Sequence, residues 1–238
     1  MNRIVLNQKY IAPRNSLVIE EADILEHVHN VLRPSIDDSL KLTFLNQGLS
    51  EGKITKLSDS KIEVEYLDLQ RARPQRFHLI IGLSRPPTLQ KILEHATTMG
   101  ASEFSFFKAE LSEKSYLQSK LFKDANYEKY LKLGLSQSGV YANLPKVNIY
   151  KGPFEINFST LSGTKFLLDK NGDQLFKAFP LKEKFSYNLA IGPERGMTED
   201  EIEFFNHQGF NSISLNSPIL RVEWATISAM AQIYGIED

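Results

Sequence analysis

Tyr187-Asn188-Leu189-Ala190-Ile191-Gly192-Pro193-Glu194-Arg195-Gly196-Met197-Thr198-Glu199-Asp200-Glu201 is the stretch that decides the fold class. Its first five residues read as a buried strand that ends at Gly192. Two glycines and a proline then make a tight loop. Thr198 to Glu201 follow as a capping box, in which the Thr198 side chain accepts the Glu201 amide and Glu201 reaches back. The helix opened there runs to Gly209. A strand that feeds a capped helix through so short a loop is one unit of an α/β domain.

The same alternation continues outward on both sides. FHLIIGLS (77–84) is an apolar run suited to a strand covered on both faces. TLQKILEHATTMG (88–100) is a helix with Gly100 as its C-terminal stop. EFSFFKAE (103–110) is a strand. NYEKYLKLGLSQSG (126–139) is a helix with Tyr127, Tyr130, Leu131 and Leu135 on one side. KVNIYKG (146–152), TKFLLDK (164–170) and NSISL (211–215) read as strands, and EWATISAMAQIYG (223–235) as the last helix. Strands alternating with helices predict a mainly parallel sheet.

The first seventy residues differ. KLTFLNQ (41–47), GKITKLS (52–58) and KIEVEYLDL (61–69) alternate apolar and polar residues, with a turn at Ser58-Asp59-Ser60. EADILEHVHNVLR (21–33) is amphipathic at helical spacing, with Ile24, Leu25, Val28, Val31 and Leu32 on one side, and Pro34 stops it. The basic stretch Arg71-Ala72-Arg73-Pro74-Gln75-Arg76 reads as a linker. The expected domains are 1–73, small and β-rich, and 74–238, α/β.

Composition narrows the function classes. Of 238 residues none is Cys, which excludes disulfides, a thiolate nucleophile and Cys-based zinc sites. His27 and His29 lie two apart on a helix and so point to different faces, and His78, His95 and His207 stand alone; no metal site is expected. MNRIVLNQKYIAPRN lacks the apolar core of a signal peptide, and no run approaches a membrane span, so a cytoplasmic protein is expected. The net charge of −1 argues against a globally basic nucleic-acid binder. It leaves room for a local patch, because 28 Lys and Arg can be segregated from 29 Asp and Glu.

Two loops are candidates for chemistry. Gly192 and Gly196 let a ligand approach the backbone, and the adjoining helix start offers amides. The same loop is equally a well-made strand-to-helix turn. Leu215-Asn216-Ser217-Pro218-Ile219-Leu220-Arg221 has the matching place before the last helix. There Arg221 and Glu223 form either an ordinary surface ion pair or part of a site. Neither loop is a G-x-G-x-x-G, and no Walker A lysine is present, so nucleotide hydrolysis and NAD binding have no signature.

Together the motifs resemble a family. I-G-P-E-x-G with its capped helix, then G-F, S-x-S-L and I-L-R-x-E-x-A are similar to the RsmE-type 16S ribosomal RNA (uracil-N3)-methyltransferases of the SPOUT superfamily. Val31-Leu32-Arg33 with DDSLKLTF, Ser84-Arg85, KILEHATTMGASEF and Ser136-Gln137-Ser138-Gly139 extend the resemblance over nearly the whole chain. It implies a PUA-like β-barrel at the N-terminus, which binds RNA, and a C-terminal trefoil-knot domain with a parallel sheet. It also implies a homodimer, S-adenosyl-L-methionine as methyl donor, and 16S ribosomal RNA or the small ribosomal subunit as partner.

Carried over by position, the resemblance assigns donor contacts to Leu167 or Leu168, Ile191, Gly192, Pro193, Glu194, Gly196, Leu215, Ile219, Leu220 and Ala225. Arg221 becomes the catalytic group, favouring the anionic uracil, and Glu223 orients Arg221 or the substrate. Arg3, Arg33, Arg73, Arg76 and Arg85 become RNA contacts. The dimer would use Trp224, Ile227, Met230 and Ile233. Several positions depart from the pattern. Arg195 stands where a glycine is usual, Pro218 where an arginine is, Val222 and Trp224 where threonines are, and Val140 where an arginine follows S-G. Glu94-His95 replaces Gln-Lys, and Thr88 replaces a lysine. Those losses of positive charge leave open a different RNA target, or an RNA-binding protein without catalysis.

Overall fold

The computed structural model describes residues 3–172, 186–215 and 218–237. The chain divides into two compact units, Met1–Pro74 with Leu135–Leu144, and Gln75–Gly134 with Pro145–Asp238.

The first unit holds a five-stranded sheet ordered β1-β3-β4-β5-β2. Its strands are β1 (Ile4–Leu6), β2 (Ser16–Ile19), β3 (Ser39–Phe44), β4 (Gly48–Leu57) and β5 (Ile62–Tyr66). All pairs are antiparallel except β1 with β3. The alternation expected from the sequence is realised in β5, where Ile62, Val64 and Tyr66 are buried and Glu63 and Glu65 face outward. They pack with Leu6, Ile19, Leu42, Phe44, Ile54 and Val28. The helix expected over 21–33 is α-helical only over α1 (Ala22–His27); Val28–Leu32 widen into a π-turn. Arg33 closes it at φ 48°, its amide donating to the Val28 carbonyl at 2.8 Å.

A single cut after residue 73 was expected, yet Leu135–Leu144 joins the first unit. Leu135 and Tyr141 bury themselves with Leu45. The backbone seals the junction: Arg3 N donates to Ser136 O, Arg73 N to Val140 O and Asn46 N to Ala142 O, each at 2.8–2.9 Å. A segment distant in sequence thus completes the core, which periodicity could not foresee.

The second unit is built on six parallel strands ordered β11-β9-β10-β6-β7-β8. They are β6 (Phe77–Gly82), β7 (Ala101–Phe107), β8 (Lys146–Tyr150), β9 (Thr164–Leu168), β10 (Tyr187–Ile191) and β11 (Asn211–Ile213). Every residue of the neighbouring β6 and β10 is buried, as expected where helices cover both faces. On one face Ile80, Phe107, Leu167 and Ala190 meet Phe205 of α4 (Glu199–His207), with Phe158 and Phe210 beside it. On the other, α2 (Pro86–Thr98) packs against α5 (Val222–Glu237). The capping box at Thr198 is formed in both directions. Gly100 and Gly209 follow their helices at φ 89° and 81°, where a side chain would be strained. α3 spans Glu128–Ser138.

The expected knot turns on the path between Gly172 and Ser186 and between Leu215 and Pro218, including Asn216 and Ser217, which lie outside the described residues. No helix among the described residues is long and apolar enough to cross a membrane.

Candidate functional site

Four strands end side by side. Ile81 lies beside Ile191, Ile191 beside Leu168, and Leu168 beside Ile213. The loops that follow therefore leave from one edge, the carboxyl edge at which open α/β sheets bind ligands.

In the first loop the Gly196 amide donates to the Pro193 carbonyl at 2.8 Å and closes a four-residue turn. Gly196 carries the left-handed φ of 77°, and a Cβ there would meet nothing within 4 Å. Arg195 therefore fills the usual glycine position without strain, and its side chain is exposed rather than turned into the loop. Gly82, not foreseen as a site residue, lets the loop close on β6: a Cβ at Gly82 would stand 2.4 Å from Pro193 Cδ. Glu194, expected at the donor, is exposed, and its Oε1 accepts the backbone amide of Arg85 at 2.9 Å. Arg85 is the N-cap of α2 and makes no side-chain cap; Glu194 holds its backbone amide, the role that the third-position Glu has in a capping box.

The apolar residues of the expected donor site divide by burial. Leu167 is fully buried against α4 and belongs to the core, and Ile191 is 4% exposed. Leu168, Leu215, Leu220 and Ala225 are half-buried, and Ile219 is 89% exposed. Of the two leucine alternatives, Leu168 is the one with side-chain surface to offer.

Arg221 immediately precedes α5, is exposed, and accepts the Ala225 amide on its carbonyl at 2.8 Å. Glu223 does not pair with it. That carboxylate is buried at 6% exposure and faces Lys91 Nζ of α2 at 3.6 Å. Residues two apart at a helix start diverge in direction, and this separates Arg221 from Glu223. Lys91 was not foreseen; it stands one turn along α2 from Thr88, where the resemblance has a lysine.

The arginines expected at RNA also separate. Arg3 is buried: its guanidinium donates to Thr43 Oγ1 (3.0 Å), Leu42 O (2.6 Å) and Ser50 O (2.9 Å), so it braces the first sheet from inside. Burial holds its pKa below the ordinary value, with the Glu51 charge acting against that. Arg33 is exposed, its Nε donating to Asn30 O. Arg73 and Arg85 are exposed. Arg76 is half-buried with its guanidinium over the Tyr234 ring. Of the dimer candidates, Met230 and Ile233 are fully buried within the chain, whereas Trp224 is 61% exposed.

His78, read as isolated, sits in a polar row near the amino ends of the strands, away from these loops. Its Nε2 shares a hydrogen bond with Ser105 Oγ at 2.8 Å and lies 3.8 Å from Glu103 Oε1. Asn148 donates to that same carboxylate oxygen at 2.8 Å. Burial lowers the His78 pKa, while Glu103 and a hydrogen bond with Asn188 oppose the shift. Among the described residues no group of His, Cys, Asp and Glu is arranged to hold a metal.

Known proteins match this arrangement along most of its length. The family model described as an RNA methyltransferase domain matches residues 71–234. Ribosomal RNA small subunit methyltransferase E 1 of Borreliella burgdorferi is 30% identical over 213 residues, covering 86% of each chain. Ribosomal RNA small subunit methyltransferase E 2 of the same organism is 27% identical over 234 residues, covering 97% of this chain and 96% of the relative. The fold agrees with the crystal structure of a ribosomal RNA small subunit methyltransferase E from Neisseria gonorrhoeae bound to S-adenosyl methionine. There the TM-score is 0.82 at 21% identity, covering 99% of this chain and 98% of the other. With the family model spanning both loops at the carboxyl edge and a relative 30% identical over 86% of this chain, the chain belongs to the RNA methyltransferase family, among the ribosomal RNA small subunit methyltransferases E.

Proposed function

We propose that the chain methylates N3 of a uridine in 16S ribosomal RNA of the small subunit, in the cytoplasm, with S-adenosyl-L-methionine as donor. The observation that carries the reading is that β10, which leads into the Gly192–Gly196 turn, and β11, which precedes α5 in the chain, end on one edge of the parallel sheet, in a chain of this family.

The residues fit the donor. Open space stands where a Cβ of Gly196 would be, next to backbone groups that the turn leaves available. Leu168, Leu215, Leu220 and Ala225 are apolar and half-buried, the kind of side chain that lines an adenine slot. When bound, S-adenosyl-L-methionine supplies a methyl already activated on sulfonium. In the transfer, the N3–H bond and the sulfur–methyl bond break, the N3–methyl bond forms, and a proton leaves to solvent. The protein aligns the base and favours its anionic form.

Arg221 is suited to the second task. It sits at the start of α5, where the helix dipole disfavours a cation and folding gains nothing from one. A guanidinium held there stabilises negative charge developing on the uracil. Glu223, in the first turn of α5, is placed where a carboxylate is favoured and ties α5 to Lys91 of α2. The first unit serves as a PUA-like RNA-binding domain, the second threads as a trefoil knot, and two chains associate through exposed Trp224 and Ile219.

Mass spectrometry of 16S ribosomal RNA from a strain lacking the gene tests this reading. Loss of one N3-methyluridine, restored when purified protein transfers labelled methyl from S-adenosyl-L-methionine to that RNA, is the expected outcome. Intact methylation in the deletion strain, with no transfer in vitro, would overturn it.

A further inference from the structure

Arg85 and Arg195 are the exposed cations at the mouth of the first loop, and neither guanidinium has a partner among the described residues. Their backbones are brought together because Glu194, the neighbour of Arg195, bonds the amide of Arg85. We propose that Arg85 and Arg195 form a two-point clamp on the RNA backbone, each guanidinium taking a phosphate; this rests on the site being an RNA-methylation site.

Three features of the junction support side-chain capture of an anion here. The α2 helix opens with Pro86 and Pro87, which carry no N–H, and the Arg85 amide is already taken by Glu194. The Thr88 and Leu89 amides donate to the Arg85 carbonyl, so the helix start offers no free amides in its first turn, and any phosphate there has to be held by side chains. Arg195 makes no fold-stabilising contact and needs no special backbone angle, so the fold itself does not explain an arginine there. Its guanidinium presents the planar fork that suits a phosphate bidentately. An arginine at 195 also returns a positive charge to a loop system in which Pro218 stands where the resemblance has an arginine.

The test is fluorescence anisotropy of a labelled, mixed-sequence single-stranded RNA with the full chain across a salt series, alongside calorimetry with S-adenosyl-L-methionine. Arg195→Ala and Arg85→Ala each lower the slope of log K against log salt by about 0.7, the double variant by about twice that. Arg195→Lys keeps the slope, and donor affinity is unchanged throughout. Arg195→Gly, which the turn accepts without strain, guards against misfolding and gives the same loss as Arg195→Ala. An unchanged slope in the single variants overturns the clamp, and so does a loss of donor affinity with the slope intact, which would assign Arg195 to the donor carboxylate. Failure of methyl transfer with the slopes as expected would remove the catalytic reading and leave the clamp standing.

Discussion

Glu194 Oε1 accepts the backbone amide of Arg85 at 2.9 Å, although the two residues are 109 positions apart. The bond fastens the turn after β10 to the start of α2, a helix that lacks a cap of its own. Removing the acceptor leaves that amide without its partner and loosens the turn from the helix. Glu194→Ala is expected to destabilise the chain by about 1 kcal/mol, the usual worth of one hydrogen bond. Glu194→Gln keeps an acceptor oxygen and loses less. Urea unfolding checks the stability, and calorimetry with S-adenosyl-L-methionine checks the turn; equal stability of Glu194→Ala and the parent chain would refute the capping role.

Arg3 was expected on RNA, and its burial leads to the opposite expectation. Three acceptors hold its guanidinium inside the first unit. Arg3→Ala strands the Leu42 and Ser50 carbonyls and the Thr43 hydroxyl, at a cost of about 3 kcal/mol. Its salt dependence of RNA binding stays that of the parent chain. A stable Arg3→Ala protein with a reduced salt slope would return Arg3 to the RNA surface.

What the sequence shows and what it hides divides along physical lines. The β10 strand and the capped α4 are legible because burial on both faces and capping chemistry are local patterns. β1 and β2, at three and four residues, are too short to display a period. The placement of both loops on one edge follows from strand–helix alternation. The partners do not: Glu194 with Arg85, Glu223 with Lys91 and Arg3 with Thr43 join residues far apart in the chain. Charged groups such as these find partners through tertiary packing that no spacing rule encodes, and the burial of Leu167, Met230 and Ile233 depends on packing in the same way. Arg195 stands where a glycine is usual, yet in this turn the left-handed angle belongs to Gly196 and not to position 195.

The His78 ring makes stability depend on pH. Burial lowers its folded pKa below the ordinary 6.5, so the unfolded chain binds more protons between the two values. Stability is therefore fully present above the unfolded value and falls as pH drops through 6.5 toward the folded one. His78→Gln, which retains a hydrogen-bonding group toward Ser105, flattens that slope. Urea midpoints measured from neutral to mildly acidic pH decide it, and parallel curves for parent and variant would refute the assignment.

Trp224, 61% exposed, and Ile219, 89% exposed, flank the entry to α5. Exposed large apolar groups beside a site mark a surface that is covered in the assembled protein. If they are the dimer contact, light scattering finds a dimer for the parent chain at micromolar concentration and a monomer for Trp224→Glu. A monomeric parent chain would remove the dimer from the proposal.

Arg221 gives the sharpest test of the chemistry, because its effect on folding and its proposed role in catalysis have opposite signs. A cation at the N-terminus of α5 opposes the helix dipole, so Arg221→Ala leaves stability unchanged or raises it by a few tenths of a kcal/mol. Loss of one preorganised charge at the developing anion lowers kcat by about 100-fold or more. Donor affinity, read by calorimetry, stays constant, since the role proposed for the guanidinium is on the base. Raising the pH removes the N3 proton without help, so the variant recovers part of its deficit in alkaline buffer while the parent chain gains less. A deficit equal at every pH would assign Arg221 to RNA binding, and a fall in stability would make it a structural residue.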